Sequence, residues 1–163
     1  MKILFFTQYF WPENFRINEL TKFFTSNKHG NIVLTAYPSY PSKKYFKKFK
    51  ISDDKTFSND KIIRIPVIPR YANNLSLILN YISFFIISFF YSLSILFKKK
   101  FDILFLFCPS PIYSVLPIIF INKMFKVKTV LWVLDLWPDT IIDLKNVKNK
   151  YLIWILKKIV KFI

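Results

Sequence analysis

Glycine is almost missing: there is one, Gly30, in 163 residues. That excludes collagen-like and glycine-linker architectures. It also excludes the GxGxxG and GxxxxGK[ST] fingerprints, whose glycines let a backbone approach phosphate closely. Cysteine and histidine are equally scarce, with Cys108 and His29 the sole examples. A lone cysteine makes no internal disulfide and no CxxC site. A lone imidazole leaves no His-based metal site and no Ser–His–Asp triad to build. Acids are few as well, seven Asp and two Glu against 25 Lys and Arg, for a formal charge of +16. Of those cations only Arg16, Arg64 and Arg70 are arginine, whereas nucleic-acid readers rely on guanidinium forks at bases and phosphates. With no zinc-finger, RNP or basic-zipper pattern either, no nucleic-acid partner is expected.

What is present is apolar: 53% of the chain, with 20% aromatic. That is ample for one core, excludes disorder, and fits a single domain over residues 1–163. The lysines cluster beside apolar stretches, at 43–50, 98–100 and 157–161, close to Tyr45, Phe46, Phe49 and Trp154. Cations next to aromatics read as an anionic membrane surface, so a protein peripheral to a membrane is expected.

Residues 2–7 form a short apolar run of the kind seen in buried parallel strands, too short for a signal peptide. Pro12 and polar residues make 8–15 a loop. From 16 to 28, Ile17, Leu20, Phe23 and Phe24 recur at helical spacing, with Gly30 as the stop. Residues 31–36 return to β-type composition, completing a βαβ unit and predicting a parallel sheet. Strands are further expected over 62–67, 102–107 and 129–134, the last two central because both faces are apolar, with a helix over 112–125. The sum is an α/β, Rossmann-like three-layer domain with a mostly parallel sheet of about five strands. Residues 75–97 hold 17 apolar side chains and no charge, and Lys98, Lys99 and Lys100 follow. Two readings stand: a crossover helix packed on the sheet, with Ser76, Asn80, Ser83 and Ser94 as a weakly polar stripe, or a membrane span. Residues 151–163 read either as an in-plane amphipathic helix or as an ordinary surface helix.

In an open parallel sheet ligands lie beyond the carboxyl ends of the strands. Three loops qualify: 8–16 with Glu13, Asn14 and Arg16; 108–114 with Ser110; and 135–139 with Asp135 and Asp139. Asp135 ends an apolar strand, where a carboxylate is costly unless paired or at a cleft. It is a general base or orienter of an acceptor hydroxyl, or else the N-cap of a following helix. Asp139 suits the cap. Arg16, at a helix start, could meet a phosphate or pair with Glu13 or Glu19. Trp11 and Trp137 could stack on a sugar, lie at a membrane, or pack in the core.

The ordered segments Tyr9-Phe10-Trp11-Pro12-Glu13-Asn14-Phe15-Arg16-Ile17-Asn18-Glu19-Leu20, Leu34-Thr35-Ala36-Tyr37-Pro38-Ser39-Tyr40-Pro41, Ile63-Arg64-Ile65-Pro66 to Arg70, Asn80-Tyr81-Ile82-Ser83-Phe84, Pro109-Ser110-Pro111 and Val133-Leu134-Asp135-Leu136-Trp137-Pro138-Asp139 resemble WbuB-like, family 4 retaining glycosyltransferases of the GT-B type. The resemblance implies the amino-terminal, acceptor-side domain of such an enzyme, inactive alone. The donor would be a nucleotide sugar held mainly by a carboxyl-terminal domain not contained in these residues. The acceptor would be a lipid-linked saccharide at the inner face of the cytoplasmic membrane, in surface-polysaccharide or O-antigen assembly, which implies a cytoplasmic chain peripheral to that face, with no metal and no cofactor. Asp135 would stand at the catalytic position, which is a His in many relatives, and Glu13, Asn14, Arg16, Ser110 and Asp139 would form the acceptor and donor-phosphate loops. The alternative is a non-catalytic membrane-associated module that works with a partner.

Overall fold

The computed structural model describes residues 1–27, 29–52, 61–135 and 149–163. Five strands, β1 (Lys2–Phe6), β2 (Gly30–Ala36), β3 (Lys61–Ile65), β4 (Ile103–Cys108) and β5 (Lys128–Val133), form one sheet in the order β3-β2-β1-β4-β5. Every pairing is parallel, from Lys2↔Gly30 and Ile3↔Ile103 outward to Ile32↔Lys61 and Ile103↔Lys128. Among the described residues the α-helices are α1 (Ile17–Ser26), α2 (Asn74–Lys98), α3 (Leu116–Phe125) and α4 (Lys150–Phe162).

Strand alternation sorts the core into two layers. Leu4, Phe6, Ile32, Leu34, Ile65, Leu104 and Leu106 pack on the side of α2 and α3, joined by Val160 and Ile163 at the end of the chain. Ile3, Phe5, Val33 and Phe107 pack on the opposite side, with Ile17, Leu20 and Phe24 of α1. The expected Rossmann-like three-layer domain is therefore the observed one.

Three details differ from the sequence reading. The apolar run 129–134 is not central: β5 is the edge of the described sheet, and Val130 is exposed. Its two apolar faces arise because both layers reach that edge, Leu131 and Val133 on one side and Trp132 against Phe105 and Phe107 on the other. Gly30 does not stop α1: the helix closes at Asn27, whose N–H donates to the Phe23 carbonyl, and Gly30 pairs into the sheet. The stretch 112–125 is a 3₁₀ turn (Ile112–Val115) followed by α3, with Pro117 in the first turn of the helix, where its missing N–H costs nothing.

Candidate functional site

The strand order reverses between β1 and β4, and in an open parallel sheet the loops diverge there at the carboxyl edge to leave a crevice. A cleft of about 370 Å³ occupies that place, lined by Tyr9, Phe15, Tyr40, Arg70, Tyr81, Pro109, Ser110, Leu134 and Asp135. Each element delivers a part. The β1 loop brings Tyr9 and Phe15, the β2 loop Tyr40, the segment after β3 Arg70, α2 Tyr81, the β4 loop Ser110, and the end of β5 Asp135.

The wall is aromatic and ordered. Tyr9 stacks on Phe15 at 5.3 Å and tilts against Tyr40 at 5.1 Å. Arg70 is held by this wall: its guanidinium lies 5.0 Å from the Tyr40 ring centroid and its Nη1 donates to the Tyr9 hydroxyl at 3.5 Å. Burial, and then the neighbouring Tyr81, push the Tyr9 phenol well above its ordinary pKa, while Arg70 pulls the other way. Tyr113, edge-on to Tyr81 at 6.0 Å, is pushed up to about 12 by burial and by Tyr81. These phenols keep their protons at neutral pH and present O–H donors. A guanidinium for an anion, a carboxylate for hydroxyls, and aromatic faces for the C–H side of a ring together suit a phosphorylated or glycosylated ligand.

Of the residues singled out in the sequence, Asp135 and Ser110 line the cleft. Glu13 is buried behind its wall, accepting from the Ser39 and Tyr40 N–H groups on Oε1 (2.8 and 2.6 Å) and from Phe10 N–H on Oε2 (3.1 Å). Burial pushes its carboxyl up to about 7, against the opposing pull of these three donors and of Arg64. Arg64 in turn donates to the carbonyls of Ala36 and Trp11 and lies over Phe49 at 5.1 Å. Asn14 and Arg16 are exposed and do not line the cleft; Arg16 is the N-cap of α1 with no side-chain bond to it. Asp139, Trp137 and the helix that Asp135 or Asp139 would cap lie outside the described residues. Cys108, 1% exposed, sits under the β4 loop with its thiol directed at the Pro111 carbonyl, and burial pushes its pKa up to about 11. His29 lies beyond α1 at the other end of the sheet, beside the terminal amine of Met1.

Tyr9 lies in the loop 8–16 that the sequence offers, whereas Tyr40, Arg70 and Tyr81 fall outside the three loops. The scarcity of arginine is the signal for Arg70: it is one of three in the chain and lies in the segment that follows β3.

No family model and no curated protein matches the chain. Solved structures do. The C-terminal domain of a hydrogenase from Pyrococcus furiosus superposes with a TM-score of 0.56 at 15% identity, over 80% of this chain and 90% of that one. A second crystal structure of that domain gives 0.50 at 12% identity, over 80% and 89%. A UGT transferase from Siraitia grosvenorii in complex with UDP gives 0.43 at 12% identity, over 80% of this chain and 27% of that one. At such identities the likeness to the hydrogenase domain establishes a shared fold alone, and the function must be argued from the cleft.

Proposed function

We propose that this chain is the acceptor-side domain of a sugar transferase of the GT-B kind, and that the cleft at the strand reversal is its acceptor site. The observation that carries the reading is that Arg70 and Asp135 line one cleft together with aromatic side chains. Asp135 is the group to deprotonate or orient the attacking hydroxyl. Arg70 meets the phosphate of a lipid-linked saccharide, Tyr9 and Tyr40 flank the sugar, and Ser110 adds a hydroxyl partner. The nucleotide sugar enters from the open side of the cleft, held by a second domain. The resemblance of the ordered sequence segments to family 4 enzymes supports this assignment, and it is the ground for proposing a lipid-linked acceptor at the inner face of the cytoplasmic membrane, in surface-polysaccharide assembly.

The test is a titration of the chain with a short-chain prenyl-diphosphate-linked sugar, with the free sugar and a nucleotide sugar as controls. The lipid-linked sugar should bind, and Arg70→Ala and Asp135→Asn should each weaken binding by about 1–3 kcal/mol, the cost of losing a charged hydrogen-bond partner. Absence of saccharide binding, or binding unchanged in the double variant, rejects the assignment. The uncovered outer face of α2 favours a second reading, a non-catalytic membrane-associated module that needs a partner chain. Under it, Asp135→Asn leaves turnover by the assembled complex unchanged.

A further inference from the structure

Helix α2 turns most of its polar side chains inward and leaves an apolar stripe outside. Its buried side carries Ser76, Asn80, Ser83, Ser88 and Ser92 along with Phe84, Ile95 and Leu96. Its solvent side carries Leu75, Ile78, Leu79, Ile82, Ile86, Phe90 and Phe97, with Ile86 51%, Phe90 62% and Phe97 66% exposed. At 100° per residue those seven fall within an arc of about 120°, one continuous stripe over a helix roughly 37 Å long. Soluble domains rarely leave such a face bare unless something covers it.

The surroundings say what does. Lys98, Lys99 and Lys100 follow the stripe at its carboxyl end. At its amino end the lysine-rich segment 43–50 is tied to the entry of the helix, since Lys43 N–H donates to the Arg70 carbonyl at 2.7 Å and Tyr71 N–H to Ser76 Oγ at 3.0 Å. A second copy of a chain with charge +16 would set lysines against lysines, whereas an anionic lipid surface attracts both clusters. An apolar pocket of about 270 Å³, lined by Ile78, Tyr81, Ile82, Phe85 and Tyr113, opens along the same face, and Tyr81 also lines the cleft.

By length and composition α2 is able to cross a membrane. Crossing would strip its inner face from the domain, breaking the bonds of Asn80 Nδ2 to the Ile68 carbonyl (2.7 Å) and of Ile68 N–H to Ser83 Oγ (3.0 Å). It would also turn the serine stripe toward hydrocarbon. We therefore propose that the outer face of α2 lies flat at the headgroup–acyl boundary of an anionic bilayer, which sets Tyr81 and the mouth of the cleft at headgroup level. The docking stands on the helix alone; only its service to a lipid-linked acceptor rests on the sugar-transfer reading.

The experiment is flotation of the full chain with vesicles of phosphatidylcholine, alone or mixed with phosphatidylglycerol. The chain should float with the anionic vesicles and stay behind with the neutral ones. Ile86→Glu with Phe90→Glu, on exposed positions outside both pockets, should lower partitioning roughly tenfold or more with circular dichroism and melting unchanged. Flotation of the double variant equal to that of the parent chain overturns the proposal. So does a lipid-free dimer that the double variant dissolves, which would give the face to a second copy. In a Cys108→Ala background, Asn74→Cys and Lys100→Cys should be labelled from the same side of a sealed membrane; labelling from opposite sides shows a span and overturns the flat arrangement. Loss of saccharide binding with flotation intact rejects the sugar-transfer reading and leaves the docking standing.

Discussion

Three backbone N–H groups converge on the Glu13 carboxyl, from Phe10, Ser39 and Tyr40, and so tie the loop after β1 to the loop after β2. Burial nevertheless raises this acid from 4.5 to about 7. The proton is therefore bound more tightly in the folded chain than in the open one. Its contribution to stability is complete below about pH 4.5, falls as pH rises toward about 7, and is level above, a loss of roughly 3 kcal/mol. Urea unfolding followed across that range should show the decline. Glu13→Gln should flatten it while costing about 1–3 kcal/mol, because the amide sets an N–H against one of the three donors; an equal slope in the variant would give the pH dependence to another group. Cys108 offers a simpler check. Its buried, protonated thiol should resist thiol reagents in the native protein at neutral pH and react on unfolding. The sequence marks Glu13 as a glutamate in a loop, one of two in the chain, but two of its three partners lie 26 and 27 residues away, so only the fold shows that it is enclosed. Asp135 and Ser110 were legible because strand ends locate them; Arg70, in a segment without a strand, was marked only by the scarcity of arginine, and Tyr81, within a long helix, was not marked at all.

The polar stripe of α2 has a structural cause. After β3 the chain runs through Pro66 and Pro69, leaves the sheet, and has no neighbouring strand to pair its backbone. Asn80 and Ser83 serve Ile68, Ser76 serves Tyr71, and Gln8 Nε2 donates to Asn80 Oδ1 at 2.9 Å. The expected consequence reverses the usual rule for an amphipathic helix. Asn80→Leu, a change toward apolar at a position 0% exposed, should destabilise by about 1–3 kcal/mol, because the Ile68 carbonyl and the Gln8 amide lose their partner. Ile86→Ala on the outer face should stay within about 0.5 kcal/mol in lipid-free solution. Denaturant midpoints of the two variants decide it, and the opposite ranking would show an ordinary hydrophobic inner face. Sequence spacing picks out Ser76, Asn80 and Ser83, but not which way they point. A helix this apolar looks alike from either side, and Ser94, grouped with them by period, is exposed while Ser88 and Ser92 complete the buried face.

Across the molecule, the parallel sheet was readable because β1, β2 and β4 are apolar on both faces, and only strands covered by helices on both sides afford that composition. The order of the strands was less so, since β5 carries an equally apolar run to the edge. The same architecture limits the chemistry. The described residues form a single sheet with a single carboxyl edge, and the cleft there is walled by one domain and open opposite it. Group transfer needs both reactants fixed in attack geometry and water kept from the donor. One wall supplies an acceptor site and neither of those. The chain incubated with nucleotide sugars and a lipid-linked acceptor should thus form no product above a protein-free control, although it binds the acceptor. Adding the domain or chain that closes the cleft should restore transfer, and Asp135→Asn should then cut turnover about 10²–10⁴-fold, as expected for loss of a general base, without lowering acceptor affinity to the same degree. Turnover by the chain alone would mean that this one-sided cleft closes by itself, and the two-domain reading would fall.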